Sequence, residues 1–273
     1  MKLFPAQLII ALSISITACG GNESPTNANN TVTKTVNVEV PASAVGIYDV
    51  NFGGFLGVYT LLDDGRFSGI HYVNNFSIVG SPHSNLAVAI TNDTILPITW
   101  SNFAAGGGMG LFERGSRIFR SVNNGTLTFE LSSNDLGTFT AEAKRQKSHD
   151  TTSSKTLYFD PIPMPALAGN YNGEGRTVGF QETVQQVNDF LLDSSGNFTL
   201  TYGKCGFQGR LVQHGATGVF NVLASSSGGG CQFIGLLNGI VTPISFSENK
   251  PRLGLQLTTT TLSHSAVFIL LKK

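Results

Sequence analysis

Few side chains in this chain are of the types and spacings that could do chemistry, and most of them are cysteines, histidines and aspartates. Cys205 and Cys231 open the same pattern, Cys205-Gly206-Phe207-Gln208-Gly209-Arg210-Leu211 and Cys231-Gln232-Phe233-Ile234-Gly235-Leu236-Leu237. In a strand that spacing puts Cys, Phe, Gly and Leu on one face, because successive side chains alternate. Outside the cytoplasm an isolated pair of thiols oxidises, so a Cys205–Cys231 disulfide is expected, with two free thiols as the alternative. There is no C-x-x-C to suggest a redox role. Geometry sets a condition on the bridge. If a strand over 218–223 pairs between the two segments, they stand two strand spacings apart, about 9.5 Å. A disulfide needs Cα atoms within about 7 Å, so the bridge must sit at strand ends or the middle segment must leave the sheet.

The remaining candidates are weaker. His71, His83, His149, His214 and His264 are scattered without ligand spacing, and only His71 and His83, twelve apart, could meet across a turn; no metal is expected. Asp63 and Asp64 precede Gly65, which makes a turn a better reading than a carboxylate dyad. Arg114, Arg117 and Arg120 form a basic cluster, read as a solvated rim with an anion-binding rim as the alternative. The triplets Gly106-Gly107-Gly108 and Gly228-Gly229-Gly230 lack the helix N-terminus of a phosphate cradle and read as flexible loops. Nucleophile elbow, H-E-x-x-H, P-loop and dinucleotide fingerprint are all missing. No catalytic residue and no cofactor is expected, and the chain does not read as an enzyme.

Composition agrees. Charged residues are 12% of 273, against about 25% in a typical domain. Lys plus Arg and Asp plus Glu are 17 each, so the basic excess that nucleic-acid binding needs is missing. Hydrophobic residues at 41% argue against disorder of the whole, and 32 glycines suit short strands and many turns.

The first eighteen residues read as an address. Lys2 supplies a positive start and residues 8–16 an apolar run, too short for the roughly 20 residues of a spanning helix. Ile16-Thr17-Ala18-Cys19 resembles the lipobox of bacterial lipoproteins. The resemblance implies cleavage before Cys19, acyl chains on that cysteine and a membrane partner through the anchor. Gly20 in place of Asp implies, by the Gram-negative pattern, the outer membrane; whether the body faces the periplasm or the surface stays open.

Residues 20–30 contain no large apolar side chain, so 19–44 reads as a disordered tether, with a strand over 32–40 as the alternative for its second half. Beyond it the chain repeats. Gly46-Ile47-Tyr48 is matched by Gly169-Asn170-Tyr171, and the run 61–67, with its D-D-G turn, by the run 191–198 with D-S-S-G. Leu127, Phe129 and Leu131 are matched by Leu253, Leu255 and Leu257. Two β modules are expected, at 45–146 and 166–273, joined by a linker at 147–165 that Pro161, Pro163 and Pro165 would hold extended. Strands are expected over 55–62, 66–72, 125–131, 187–192, 197–202, 218–223, 252–258 and 266–271, with hairpins at both Gly-containing turns. A helical spacing of Val184, Val187 and Leu191 competes with the strand there.

The second half, with G-x-Y, D-x-x-G-x-F, C-x-F-x-G-x-L and a later cysteine, looks like a pattern of uncharacterised small β-module lipoproteins of bacteria. That resemblance implies an anchored β module and lends no active-site residue; the first half lacks both cysteines. The expected fold is all-β, two tandem antiparallel β-barrels or sandwiches. The expected role is non-catalytic, in binding or envelope structure. A lipocalin-like barrel holding a small apolar ligand is the alternative, supported by 19 phenylalanines.

Overall fold

The computed structural model describes residues 44–52, 55–73, 78–84, 95–102, 111–123, 126–133, 137–148, 156–178, 185–232, 234–245, 251–261 and 263–273. The signal segment, Cys19, the tether with its alternative strand, Gly106 to Gly108, and His149 lie outside the described residues. Sixteen strands are described, and they close into two antiparallel barrels of eight. Barrel one runs β1 (Gly46–Phe52), β2 (Phe55–Leu61), β3 (Phe67–Tyr72), β4 (Ile78–Ser84), β5 (Ile95–Asn102), β6 (Leu111–Asn123), β7 (Thr126–Ser133) and β8 (Gly137–Arg145). Barrel two runs β9 (Gly169–Val178), β10 (Gln185–Leu192), β11 (Asn197–Tyr202), β12 (Cys205–Gln213), β13 (Phe220–Ser227), β14 (Gly235–Ser245), β15 (Arg252–Thr258) and β16 (Ser265–Lys272). Each strand pairs with its sequence neighbour, and β1 with β8 and β9 with β16 shut the rings. Closure removes the free sheet edges that would otherwise template aggregation.

The internal repeat is visible in atomic detail. Tyr48 donates its hydroxyl to the carbonyl of Ala44, and Tyr171 donates to Leu167, each four residues back. In the β2–β3 turn Gly65 takes φ 83° and its N–H reaches Leu62 O at 3.1 Å; in the β10–β11 turn Gly196 takes φ 88° and reaches Asp193 O at 3.1 Å. Both turns need a left-handed residue there, which is why glycine stands at both. The strand reading of 187–192 also holds over its helical rival. A bulge between Val187 and Phe190 breaks strict alternation and turns both inward, whereas Leu191 is exposed and so does not share Val187's face; Val184 lies outside the described residues.

The segment between the barrels departs from a plain extended linker. It contains a 3-10 turn, Leu157–Phe159, and a single α-helical turn, α1 (Met164–Leu167). Pro165 sits in the first turn of that helix, where the missing N–H costs no hydrogen bond. The segment is packed as well: Leu157 and Tyr158 are buried with barrel one's core, Ile162 and Leu167 with barrel two's. Gly218 donates to Tyr158 O at 2.8 Å, and a Cβ on it would collide with Leu157 O, so only glycine lets the strap lie this close.

Burial patterns tell which walls meet. In β11 burial alternates strictly, one face inward and one in water. In β3, β15 and the first six residues of β16 nearly every residue is buried. The outward side chains of β2 to β4 pack on those of β14, β15, β16 and β9. Thr60 and Thr242 share a hydrogen bond of 2.7 Å across this contact. Gln256, 3% exposed, accepts from Ser68 and donates to Ser81 Oγ at 2.6 Å, and Ser81 donates to Gly69 O. Gly254 leaves room for Ile70, whose Cδ1 would be 2.7 Å from an added Cβ.

Candidate binding surface

Barrel two's interior is filled. Tyr171, Phe190, Phe198, Tyr202, Phe207 and Phe268 meet in edge-to-face and stacked contacts with centroids 5.4 to 5.8 Å apart. Cys205, Phe207 and Leu211 point into this core from β12, with Gly209 pressed against β13 between them. Cys205 and Cys231 are joined, with Cα atoms 4.8 Å apart. The second copy of the cysteine pattern is not a strand at its start. Gly228 at φ 125° turns the chain, Cys231 N–H returns to Gly228 O, and β14 begins only at Gly235. The bridge therefore ties the first residue of β12 to the β13–β14 loop, which is how it avoids spanning two strand spacings.

In barrel one, Tyr48, Tyr59, Phe67 and His71 are buried. His71 Nε2 bonds the Tyr59 hydroxyl, and the two rings stack. Gly57 makes the space, since a Cβ there would stand 2.9 Å from His71 Cδ2. The register puts His71 opposite Gly80 and His83 opposite Ser68, three places apart on β4. Arg114, Arg117 and Arg120 all fall on β6. His264 lies in the β15–β16 turn, bonded to Ser263.

Asp63 and Asp64 do occupy a turn, and the fold gives Asp63 a partner 151 residues away, while Asp64 is held by Arg66 two residues on. His214 Nε2 lies 2.6 Å from Asp63 Oδ1, and its Nδ1 is 3.1 Å from Asn221 Nδ2. Asn221 Oδ1 accepts from Arg66, whose guanidinium also grips Asp64 at 2.7 Å. With Asn221 donating to Nδ1, the imidazole proton belongs on Nε2, where it is donated to Asp63. Asp63, Asp64 and His214 each bring one ligand atom within 4.8 Å of the others, and among the described residues they are the group that could hold a metal. Arg66 already supplies the positive charge beside Asp64, so the arrangement works as a clamp from the first barrel's hairpin to the β12–β13 loop. Nothing local in the sequence marks His214 or Asn221 for this.

Two features of barrel two's outside remain. A cleft of about 210 Å³ opens beside Asn172, Glu174, Gln186 and Arg252. Glu174 there is engaged by Arg176 at 3.1 Å and by the N–H of Ile78 at 3.2 Å. Burial holds Arg252 below the usual guanidinium range. Tyr72 is pushed up to about 12, by burial first and Asp49 second, with Arg252 opposing.

The larger feature is the outer wall over β12, β13 and the start of β14. Val212, Leu223, Ile234 and Leu236 are 53%, 59%, 68% and 69% exposed. Leu223 stands opposite Arg210 on β12 and Asn238 on β14, while Val212 stands opposite Asn221 and Leu236 opposite Ser225. Val212, Leu223 and Leu236 are thus diagonal neighbours, close enough to form one apolar stripe. The alternation of β12 and β13 assigns these positions to water, so apolar residues there are the sequence signal for this surface, overlooked among so many other leucines.

Comparison of the chain with family models, curated proteins and solved structures finds no match.

Proposed function

We propose that this chain is a lipid-anchored protein of the bacterial outer membrane with a non-catalytic role in binding or envelope structure. One observation carries the reading: Ile16-Thr17-Ala18-Cys19 follows a positive start and a short apolar run, and a polar segment comes next. Two or three acyl chains on Cys19 would hold the body at the membrane essentially permanently. A disulfide between Cys205 and Cys231 suits such an oxidising location. The two barrels then form the body, held by a buried polar lock at Gln256 and an outer clamp at Asp63 and His214.

The second reading is a lipocalin-like barrel around a small apolar ligand, and eight-strand closure favours it. The rings packed through barrel two direct that reading to barrel one. The anchor is tested by Cys19→Ser in the producing bacterium. The wild-type protein is expected to stay with membranes through high-salt washing and to take up labelled fatty acid. Membrane partition and label uptake unchanged in the variant would refute the anchor.

A further inference from the structure

We infer that the outer wall of barrel two, over β12, β13 and the start of β14, docks on the anionic headgroup layer of the membrane that carries the protein's own anchor. The inference rests on the anchored reading above and adds to it the face that meets the lipid. The stripe of Val212, Leu223, Ile234 and Leu236 is the first support, because a contiguous exposed apolar surface on a closed barrel marks a contact site.

Charge supports a lipid surface as the occupant. The side chains that β11, β12 and β13 turn outward on this wall are Asn, Thr, Gln, Ser and the apolar stripe, with Arg210 among them and Lys204 at the β11–β12 turn. No carboxylate stands among them. Asp189 on β10 and Asp193 in the β10–β11 turn lie beyond β11 from the stripe, Asp193 held by the side chain and N–H of Asn197. Asp63 and Asp64, beside Asn221, are engaged by His214 and Arg66. Arg210 and Lys204 are both exposed and their long stems can lie along the apolar stripe with the charge at headgroup level. Each basic group near an anionic leaflet adds attraction, and a carboxylate would cancel it.

Two structural details fit this use. The Cys205–Cys231 bond pins the β13–β14 loop three residues before Ile234, so the rim of the stripe is fixed. The 24 residues between Cys19 and Ala44 span at most about 85 Å, enough for the body to turn this wall toward the leaflet.

The test uses the full lipidated protein in vesicles of phosphatidylethanolamine and phosphatidylglycerol. Leu223→Cys, an exposed position, carries an environment-sensitive fluorophore, and Asn51→Cys on barrel one serves as control. Quenching by lipids with a nitroxide near the headgroup is expected to be at least threefold stronger at 223 than at 51, and to fall in high salt. Equal quenching at the two sites, with the protein still floating with the vesicles, would overturn the docking and leave the anchor standing. Protein that does not float at all would overturn both. A photo-crosslinker at Leu223 in the producing cell is expected to give lipid adducts. Adducts to another protein, or to a second copy of this chain, would overturn lipid as the occupant.

Discussion

The two barrels share strand number, pairing order, the tyrosine-to-carbonyl bond and the glycine turn, yet their cores are not equivalent. Barrel two's inward residues form a hydrophobic cluster of their own, from Tyr171 and Phe190 through Phe207 to Phe268 and Leu270. The described core of barrel one runs on without a break into Val178, Val219, Ile240, Ile244, Val267 and Ile269, which are outward residues of barrel two and its β12–β13 loop. Barrel two also carries the disulfide. Among the described residues, barrel two's core thus stands apart while barrel one's is continuous with the wall between them, and the expectation to test is that barrel one leans on barrel two although each repeats the other's fold.

The largest effect that would probe this is complete unfolding at alkaline pH. All six tyrosines are buried. Burial raises Tyr48, Tyr72, Tyr158 and Tyr171, with Tyr72 reaching about 12. A folded value above the unfolded one means stability is fully present below about pH 10 and is lost as pH rises toward the folded values, since the unfolded chain gives up its protons first. Phenolate absorbance should therefore appear together with loss of circular dichroism. A gradual phenolate signal on an intact fold would show that the barrels breathe.

Next comes a paired truncation. Phe268→Ala in barrel two should cost about 3–5 kcal/mol and bring both barrels down in one denaturant transition. Phe67→Ala should cost a similar amount but leave barrel two's transition in place. If Phe67→Ala unfolds barrel two as well, the dependence is mutual. Reduction of Cys205–Cys231 comes close behind. The bridge closes a loop of 26 residues, worth about 3.5 kcal/mol in the chain-entropy model. From sequence alone, reduction would touch only the second module; with barrel one's core continued into barrel two's outer wall, both transitions should fall.

That difference shows where the sequence was legible. Strand alternation, glycine at the hairpin turns and the repeat spacing are local properties, so two β modules could be read from Gly46 to Tyr72 and Gly169 to Tyr202. The interface is not local. Thr60, Ser68, Thr242 and Gln256 occupy positions that alternation assigns to solvent, and only the meeting of two walls buries them. The bridge lay between these cases: its two cysteines were evident, but its geometry depended on Gly228 turning the chain before Cys231.

Gln256→Ala tests the wall itself. It removes the amide that accepts from Ser68 and donates to Ser81, leaving buried hydroxyls short of partners, for about 1–3 kcal/mol. The loss should appear in barrel one's transition more than in barrel two's. Gln256→Leu should recover little, because it covers the gap without satisfying Ser68. Equal shifts in the two transitions would place the lock in the shared stability of the pair instead.

The smallest effect belongs to the clamp. Barrel two's turn has Ser194 and Ser195 where barrel one's has Asp63 and Asp64, and both turns keep the left-handed glycine that shapes them. Asp63→Ser therefore gives barrel one the residue of its counterpart without disturbing the turn, and removes the acceptor that His214 Nε2 reaches. Asp63 is two-thirds exposed, so solvent and salt screen the pair, and the loss should be under about 1 kcal/mol and shrink further in high salt. Zinc or manganese offers a second check, because Asp63, Asp64 and His214 are within ligand reach of one another. With Arg66 on Asp64 and the His214 proton on Asp63, neither cation should raise the melting temperature. A rise in the wild-type protein that disappears in Asp63→Ser would mean the acids serve a metal and the contact between barrels is secondary. A flat response in both, with a small salt-sensitive loss in the variant, fits a tie that orients barrel one on a neighbour already holding it through its core.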